Sequence, residues 1–388
     1  MSQHKVSQSK PQPGKAIVIG GSLGGLFAGN MLRSMGWDVH IYERSTHDLD
    51  SRGGGIVLQP DVVEVFRRSG IDIASIDLGV DSSYRTVFNP DGSIQSQHPA
   101  RQTQTSWSLI YTTMKNTFGD TYYHKGKKLI AIQQDKTTAQ VNARFDDGSE
   151  ASGDLLIGAD GNGSTVRQLL WPDAKPTYAG YLAWRGLVRE RDIPAVAADG
   201  LVGDFAFANN KGSHMLGYLV PGDNNDTREG HRYYNWVWYR VAGDAQLKDI
   251  MTDKAGNYRG FSIPEGKLTE RWRAHVYSEA EIFLPPNFAA MVNATAEPFG
   301  QAIRDLTVDR MVNGRVILLG DAAFIPRPHT AASTAKAAAN AIALAEALKR
   351  FPDNIDQALL AWEPQQLSLG KHLYRQGTET GNYLLFHH

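Results

Sequence analysis

The chain has 388 residues, room for roughly two to three domains, and its 41% apolar and 21% charged residues are ordinary globular proportions that supply a large core. A formal net charge of −1 gives no electrostatic case for nucleic acid or an anionic membrane as partner, and no apolar run approaches the ~18 residues of a bilayer span. Cysteine is absent, which excludes disulfides, thiolate metal sites and cysteine nucleophiles.

Residues 1–14 are polar and lack the apolar stretch of an export signal, so a cytoplasmic setting is expected. Residues 16–20 (AIVIG) then read as a buried parallel strand, 23–36 as a helix ending at Gly36, and 37–43 (WDVHIYE) as a second strand closing on Glu43. This is a βαβ unit. A glycine turn (RGGGIVLQP) and a helix to Gly70 follow, then extended hairpin material over 84–99, a helix over 107–118 and a β-meander over 129–151. DLLIGADG, 154–161, is another apolar strand with a glycine-rich exit. Trp and Tyr concentrate between Pro176 and Pro286, where strand-like alternation dominates. RVILLGDAA, 315–323, returns to the buried-strand pattern, ahead of an Ala-rich helix to about Phe351 and a last helix near 354–376. The expected fold is α/β: a Rossmann-like dinucleotide-binding domain with an inserted antiparallel-sheet domain. The first is discontinuous (15–83, 100–175 and 287–351), the second takes 84–99 and 176–286, and 352–388 form a C-terminal helix and tail.

The first turn, Gly20-Gly21-Ser22-Leu23-Gly24-Gly25, fits two motifs. As G-x-S-x-G it would be the elbow of a nucleophilic serine, but that needs an oxyanion loop from an earlier strand–helix connection, for which residues 1–14 leave no room. As G-x-G-x-x-G with Ser22 in the second glycine position it needs a strand before, a helix after and an acid about 20 residues on. All three are present, the acid being Glu43. Two more strand ends match in order: Asp160-Gly161, followed by Ser164 and Arg167, and Gly320-Asp321, followed by a Pro-rich loop and a helix. An acid at a strand's carboxyl end can accept hydrogen bonds from a polyol such as the ribityl chain of a flavin; taken singly, each Asp equally suits a helix N-cap.

With these three turns in place the sequence resembles the class A FAD-dependent aromatic hydroxylases, typified by p-hydroxybenzoate hydroxylase. The likeness runs from about residue 15 to 350 and includes GIVLQP, YAGYLAWRG at 178–186 and GDAAFIPRPH. It implies a single-component monooxygenase that uses NADH or NADPH, bound transiently, and dioxygen to hydroxylate a small hydroxylated N-heteroaromatic or phenolic ring through a flavin C4a-hydroperoxide. It also implies that bound FAD is contacted by Gly20, Ser22, Leu23, Gly24 and Gly25, by Glu43 at the adenosine ribose and by Asp160 near the pyrophosphate; beside these, Gly55 is an expected contact, and Arg44 or Arg52 is expected to neutralise phosphate, Arg52 alternatively holding an anionic substrate. Asp321 would take the ribityl hydroxyls, Pro328 the flavin ring, and the amides of Ala331, Ala332 and Ser333 its pyrimidine end. A same-fold oxidase or dehydrogenase, or a flavoprotein that binds an aromatic without turnover, stays open. So does a homodimer.

Two departures stand out. Trp107 occupies the helix start where the family commonly carries an arginine, and the loop after the prolines reads HTAASTAK rather than glycine-rich, so it is expected to be pre-formed as a helix start. The aromatic sheet is the natural pocket wall. His214, Leu216, Tyr218 and Val220 share one face by period two, and Tyr234, Trp236 and Trp238 another. Trp184, Leu216, Trp236 and Pro328 are the expected pocket residues, with His214, Tyr218 and His329 as the catalytic candidates for proton transfer. No metal site is expected, since no His/Asp/Glu set has ligand spacing.

Overall fold

The computed structural model describes residues 14–49, 54–135 and 137–387. Apolar runs at Lys15–Ile19, Leu155–Gly158 and Val316–Leu318 are buried on both faces, which selects a parallel sheet covered by helices. They form a six-stranded sheet in the order 312–313, 316–318, 155–158, 15–19, 38–43, 123–125, parallel but for its 312–313 edge. Helices Leu23–Ser34, Trp107–Phe118 and Ser333–Arg350 cover it. Because the strands run the same way, Gly20, Glu43, Asp160 and Asp321 all leave the sheet at its carboxyl edge.

The second sheet has nine strands, ordered 262–263, 299–305, 177–189, 233–241, 213–220, 204–210, 80–88, 94–106, 55–57. It is antiparallel except where 204–210 lies parallel to 80–88. It takes more of the chain than the sequence suggests. Gly55–Val57 and Phe299–Asp305, both expected in the nucleotide domain, are strands of this sheet, and the hairpin expected over 84–99 runs from Val80 to Ser106. Helices Glu270–Phe283 and Pro286–Asn293 pack on its far face in a second core around Trp184, Trp236 and Trp238. The meander over 129–153 forms a small separate sheet. The last helix, Ile355–Phe386, is longer than expected and runs through Pro364. Among the described residues no helix is long and apolar enough to cross a membrane.

Candidate functional site

A long cleft separates the carboxyl edge of the parallel sheet from the near face of the large sheet. Its two stretches share Asn162, Gln301, Ala302 and Arg304, so they are continuous. Their cavity volumes, about 310 and 500 Å³, lie within the ~300–1,000 Å³ of a usual small-ligand site.

The glycine turn opens one end. Gly20 has φ +104°, and a Cβ there would lie 2.5 Å from the Ala159 carbonyl oxygen. A Cβ on Gly25 would lie 1.9 Å from the Gly20 carbonyl oxygen, so this glycine lets the helix start against the strand. A Cβ on Gly24 would meet only side-chain methyls, Leu319's at 3.3 Å and those of Ala159 and Ala337 at 3.8 Å. Ser22 sits at the N-cap of helix Leu23–Ser34, yet its hydroxyl caps nothing; it lines the cleft. Glu43 accepts the Gly21 N–H at 2.8 Å on one oxygen and the Ser45 N–H at 2.8 Å on the other. A carboxylate has acceptor sites left for a ligand hydroxyl. Arg44 is exposed on the rim. Arg52 lies outside the described residues.

Asp160 meets the capping alternative and also faces the cleft. Its carboxylate accepts the Ser164 hydroxyl and the N–H groups of Thr165 (2.6 Å) and Val166 (3.1 Å), capping helix Thr165–Leu170, and it also lines the cleft. Burial pushes its carboxyl above the ordinary range against those bonds. Arg167, which no sequence pattern singles out as functional, is buried and donates to the carbonyls of Asn162 (2.7 Å), Ala322 (2.8 Å) and Ala174 (3.1 Å). It thereby ties the Asp160 turn to the Asp321 turn. Between the two, Asn162 Oδ1, Arg304 Nε and Arg185 Nε are buried without hydrogen-bond partners among the described residues. Three orphaned polar atoms, one from the Asp160 turn and two from the large sheet across the cleft, fit a polar ligand.

At the other end, Asp321 accepts the Ser333 hydroxyl at 2.6 Å and the Lys336 ammonium at 2.9 Å. The loop expected as a pre-formed helix start is instead a single turn over Pro328–Thr330, then Ala331 in the left-handed region at φ +51°; the helix begins at Ser333. Pro328, Ala331, Ala332 and Ser333 line the cleft beside Asp321. Trp107 lines it opposite, its ring stacked on Tyr111 at 4.8 Å. Gly55 faces Tyr218, whose ring a Cβ would reach at 2.4 Å.

The pocket wall corrects part of the sequence reading. Ala183 and Arg185 on one strand, and Val237 and Tyr239 on the next, face the cleft with Leu216 and Tyr218. Trp184 and Trp236 therefore point the other way. They are 2% and 0% exposed in the second core, and the Trp236 indole donates to the Thr295 hydroxyl at 2.8 Å. Alternation separated the two faces but carried nothing to say which one meets the cleft. His214 and His329 do not line the cleft either. Their rings lie 5.5 Å apart behind Tyr239. His214 Nδ1 is paired with Asn209 Oδ1, and His329 Nε2 with the Tyr181 hydroxyl at 2.9 Å, while His329 Nδ1 has no partner. Burial, aided by Arg85 at His214 and by His214 and Arg327 at His329, pushes His214 down to about 4 and His329 to about 3, so both are neutral at pH 7. Burial pushes the Tyr218 phenol up to about 12.

The cradle for a dinucleotide, the acids at three strand ends and the apolar wall beyond them fit FAD. A family described as FAD binding domain-like matches residues 178–305. The chain is 36% identical over 364 residues to 2,6-dihydroxypyridine 3-monooxygenase of Paenarthrobacter nicotinovorans, covering 94% of this chain and 89% of that one. The chain belongs to the FAD-dependent aromatic hydroxylases. The structure of 2,6-dihydroxypyridine-3-hydroxylase from Arthrobacter nicotinovorans superposes on this hydroxylase with a TM-score of 0.90 and 34% identity over 97% and 94% of the two chains. A 6-hydroxynicotinate 3-monooxygenase of Pseudomonas fluorescens is 26% identical, covering 87% and 83%.

Proposed function

We propose that this hydroxylase inserts one oxygen atom into a hydroxylated pyridine or a related small phenolic ring, with NADH or NADPH as reductant. The relatives named for dihydroxypyridine and hydroxynicotinate support that ring class. When bound, FAD supplies the redox chemistry, taking a hydride from the nicotinamide and activating dioxygen.

The protein's part is binding, orientation and exclusion of water. Gly20–Gly25 bring backbone N–H groups and the start of a helix to the diphosphate, with Ser22 as a further donor. Glu43 holds the ribose and Asp321 the ribityl chain. The amides near 331–333, at the head of helix Ser333–Arg350, face the pyrimidine edge, where their dipole favours negative charge. The ring substrate lies against Leu216, Tyr218, Val237 and Tyr239, an apolar wall that excludes water. Arg185, which lines the pocket together with Arg304, holds an anionic ring oxygen. Tyr218 is protonated at pH 7 and acts as a hydrogen-bond donor to the ring. His214 and His329 act behind it through Tyr239 rather than on the ring. The reading places the enzyme in the cytoplasm, acting on dissolved small molecules.

The single observation that carries the proposal is the convergence of Gly20, Asp160 and Asp321 on one cleft that ends in an apolar pocket. The test is the visible spectrum of the purified protein, then NAD(P)H consumption across hydroxypyridines and phenols with product identified by mass. A colourless protein sinks the FAD reading. Flavin reduction without an oxygenated product points to the oxidase or dehydrogenase alternative.

A further inference from the structure

The last turns of the C-terminal helix reach the back of this pocket. Gly377 and Gly381 let the helix backbone close on the Pro loop: a Cβ on Gly377 would lie 2.9 Å from the Arg327 nitrogen, and one on Gly381 2.7 Å from the Tyr181 hydroxyl. One residue on, Asn382 Oδ1 accepts a hydrogen bond from the Arg327 guanidinium at 2.8 Å. The rest of that guanidinium is engaged by Asp305 in a buried bidentate pair, Nε to Oδ1 at 2.9 Å and Nη2 to Oδ2 at 2.8 Å. Asp305 ends the strand that carries Gln301, Ala302, Ile303 and Arg304 along the cleft. Arg327 precedes Pro328, which lines the cleft, and His329, which is bonded to Tyr181. The Phe386 ring meets Tyr181 edge-on at 6.1 Å, and Leu385 packs in the cluster that includes Ala183, Val237, Tyr239 and Ile303.

We propose that Asn382 is a positioning residue for hydroxylation: through Arg327 it fixes the Pro328–Ala331 edge of the cleft and the Tyr181–His329 pair behind it. The inference rests on the flavin reading of the cleft and assigns a role in it to the end of the C-terminal helix. Asp305 holds the Arg327 guanidinium to the sheet, its carbon lies 5.4 Å from the Tyr181 ring centroid, and Asn382 gives it a hydrogen-bond acceptor on the helix. Without the amide oxygen, one face of a buried guanidinium loses its acceptor, and the loop it carries gains freedom toward the cleft. A loop that moves by a fraction of an ångström leaves FAD bound but lets the ring substrate and the flavin drift out of reacting geometry.

The test compares the FAD-loaded wild type with Asn382→Leu, which keeps the volume and removes the acceptor, and Asn382→Asp, which keeps the acceptor. In Asn382→Leu, amide exchange of peptides spanning 325–332 is expected to accelerate about tenfold while peptides of the strands at 15–19 and 155–158 stay at wild-type rates. Oxygenated product per NAD(P)H consumed is expected to fall about threefold or more, with FAD content and the KM for NAD(P)H within about twofold. Asn382→Asp restores both readouts. Unchanged exchange at 325–332, exchange that accelerates equally throughout the molecule, or failure of the Asp variant to rescue overturns the proposal. A wild type that oxygenates no ring compound refutes the proposed function instead, and the exchange comparison still decides the role of Asn382.

Discussion

Lys336 and Asp321 form a pair whose members sit in different surroundings, and removing each gives a different penalty. The Lys336 side chain is 1% exposed, with Asp321 Oδ1 and the Phe324 carbonyl as its acceptors, whereas the Asp321 side chain is 38% exposed at the cleft. Asp321→Ala strands a buried ammonium with one carbonyl. Losing one partner of a buried pair costs about 3–5 kcal/mol. The ceiling at pH 7 is about 4.6 kcal/mol, the free energy of taking the proton from an ordinary lysine. Lys336→Met leaves a carboxylate that water and the Ser333 hydroxyl still solvate, and is expected to change stability by about 1 kcal/mol or less. The assay is urea unfolding of flavin-free protein followed by tryptophan fluorescence, which removes the contribution of bound FAD. Burial also depresses the Lys336 pKa below its ordinary value. Between the depressed native value and ~10.4 the unfolded chain keeps a proton that the native chain has shed, so stability rises with pH across that window. Lys336→Met loses this rise. If Lys336→Met destabilises as much as Asp321→Ala, the argument from unequal burial is wrong.

Gly25→Ala drives its methyl into the Gly20 carbonyl and is expected to yield protein without flavin, read from absorbance near ~450 nm, whereas Gly24→Ala keeps its flavin because only a side-chain methyl lies in the way. Ala331→Gly relieves the left-handed conformation, worth ~1–2 kcal/mol, against the ~0.4–1 kcal/mol that glycine's unfolded freedom takes back; the urea midpoint should rise slightly. Below about pH 6.5 the unfolded chain protonates His214 and His329, while the native chain resists until about 4 and about 3. Stability should therefore fall on acidification from pH 6.5 to 4.5, and His214→Asn, which keeps a polar side chain beside Asn209, should flatten that fall in urea titrations at stepped pH.

The parallel sheet was legible because its physics is local. Apolar runs, one glycine turn and acids at strand ends are each visible within a few residues, and strand direction alone brings Gly20, Glu43, Asp160 and Asp321 to one edge. The pocket was half legible. Period two grouped Leu216 with Tyr218 and Trp236 with Trp238, but the face that meets the cleft depends on where the parallel sheet docks, and so Trp184 and Trp236 were placed wrongly. Arg167 was visible only as part of its turn and Arg327 not at all, because the partners that define them, the Ala322 carbonyl and the Asp305 carboxylate, come from remote segments. Arg185 stood in plain view in YAGYLAWRG, yet its role depends on an Nε left without an acceptor, which only the folded wall reveals. The alanines of HTAASTAK read as helix formers; in the fold Ala331 is left-handed, between the Pro328–Thr330 turn before it and Ser333, bonded to Asp321, after it.

The order of strands also governs how the molecule comes into being. Leu155–Gly158 lies between Lys15–Ile19 and Val316–Leu318, and Thr177–Arg189 lies between Tyr233–Val241 and Phe299–Asp305. Until the ribosome has released residues to 305 for the large sheet and to 318 for the parallel one, each presents a naked edge of unpaired amides and carbonyls. A chain cut short before residue 299 keeps its nucleotide turn and most of its aromatic wall, and is still a template for aggregation rather than a smaller enzyme.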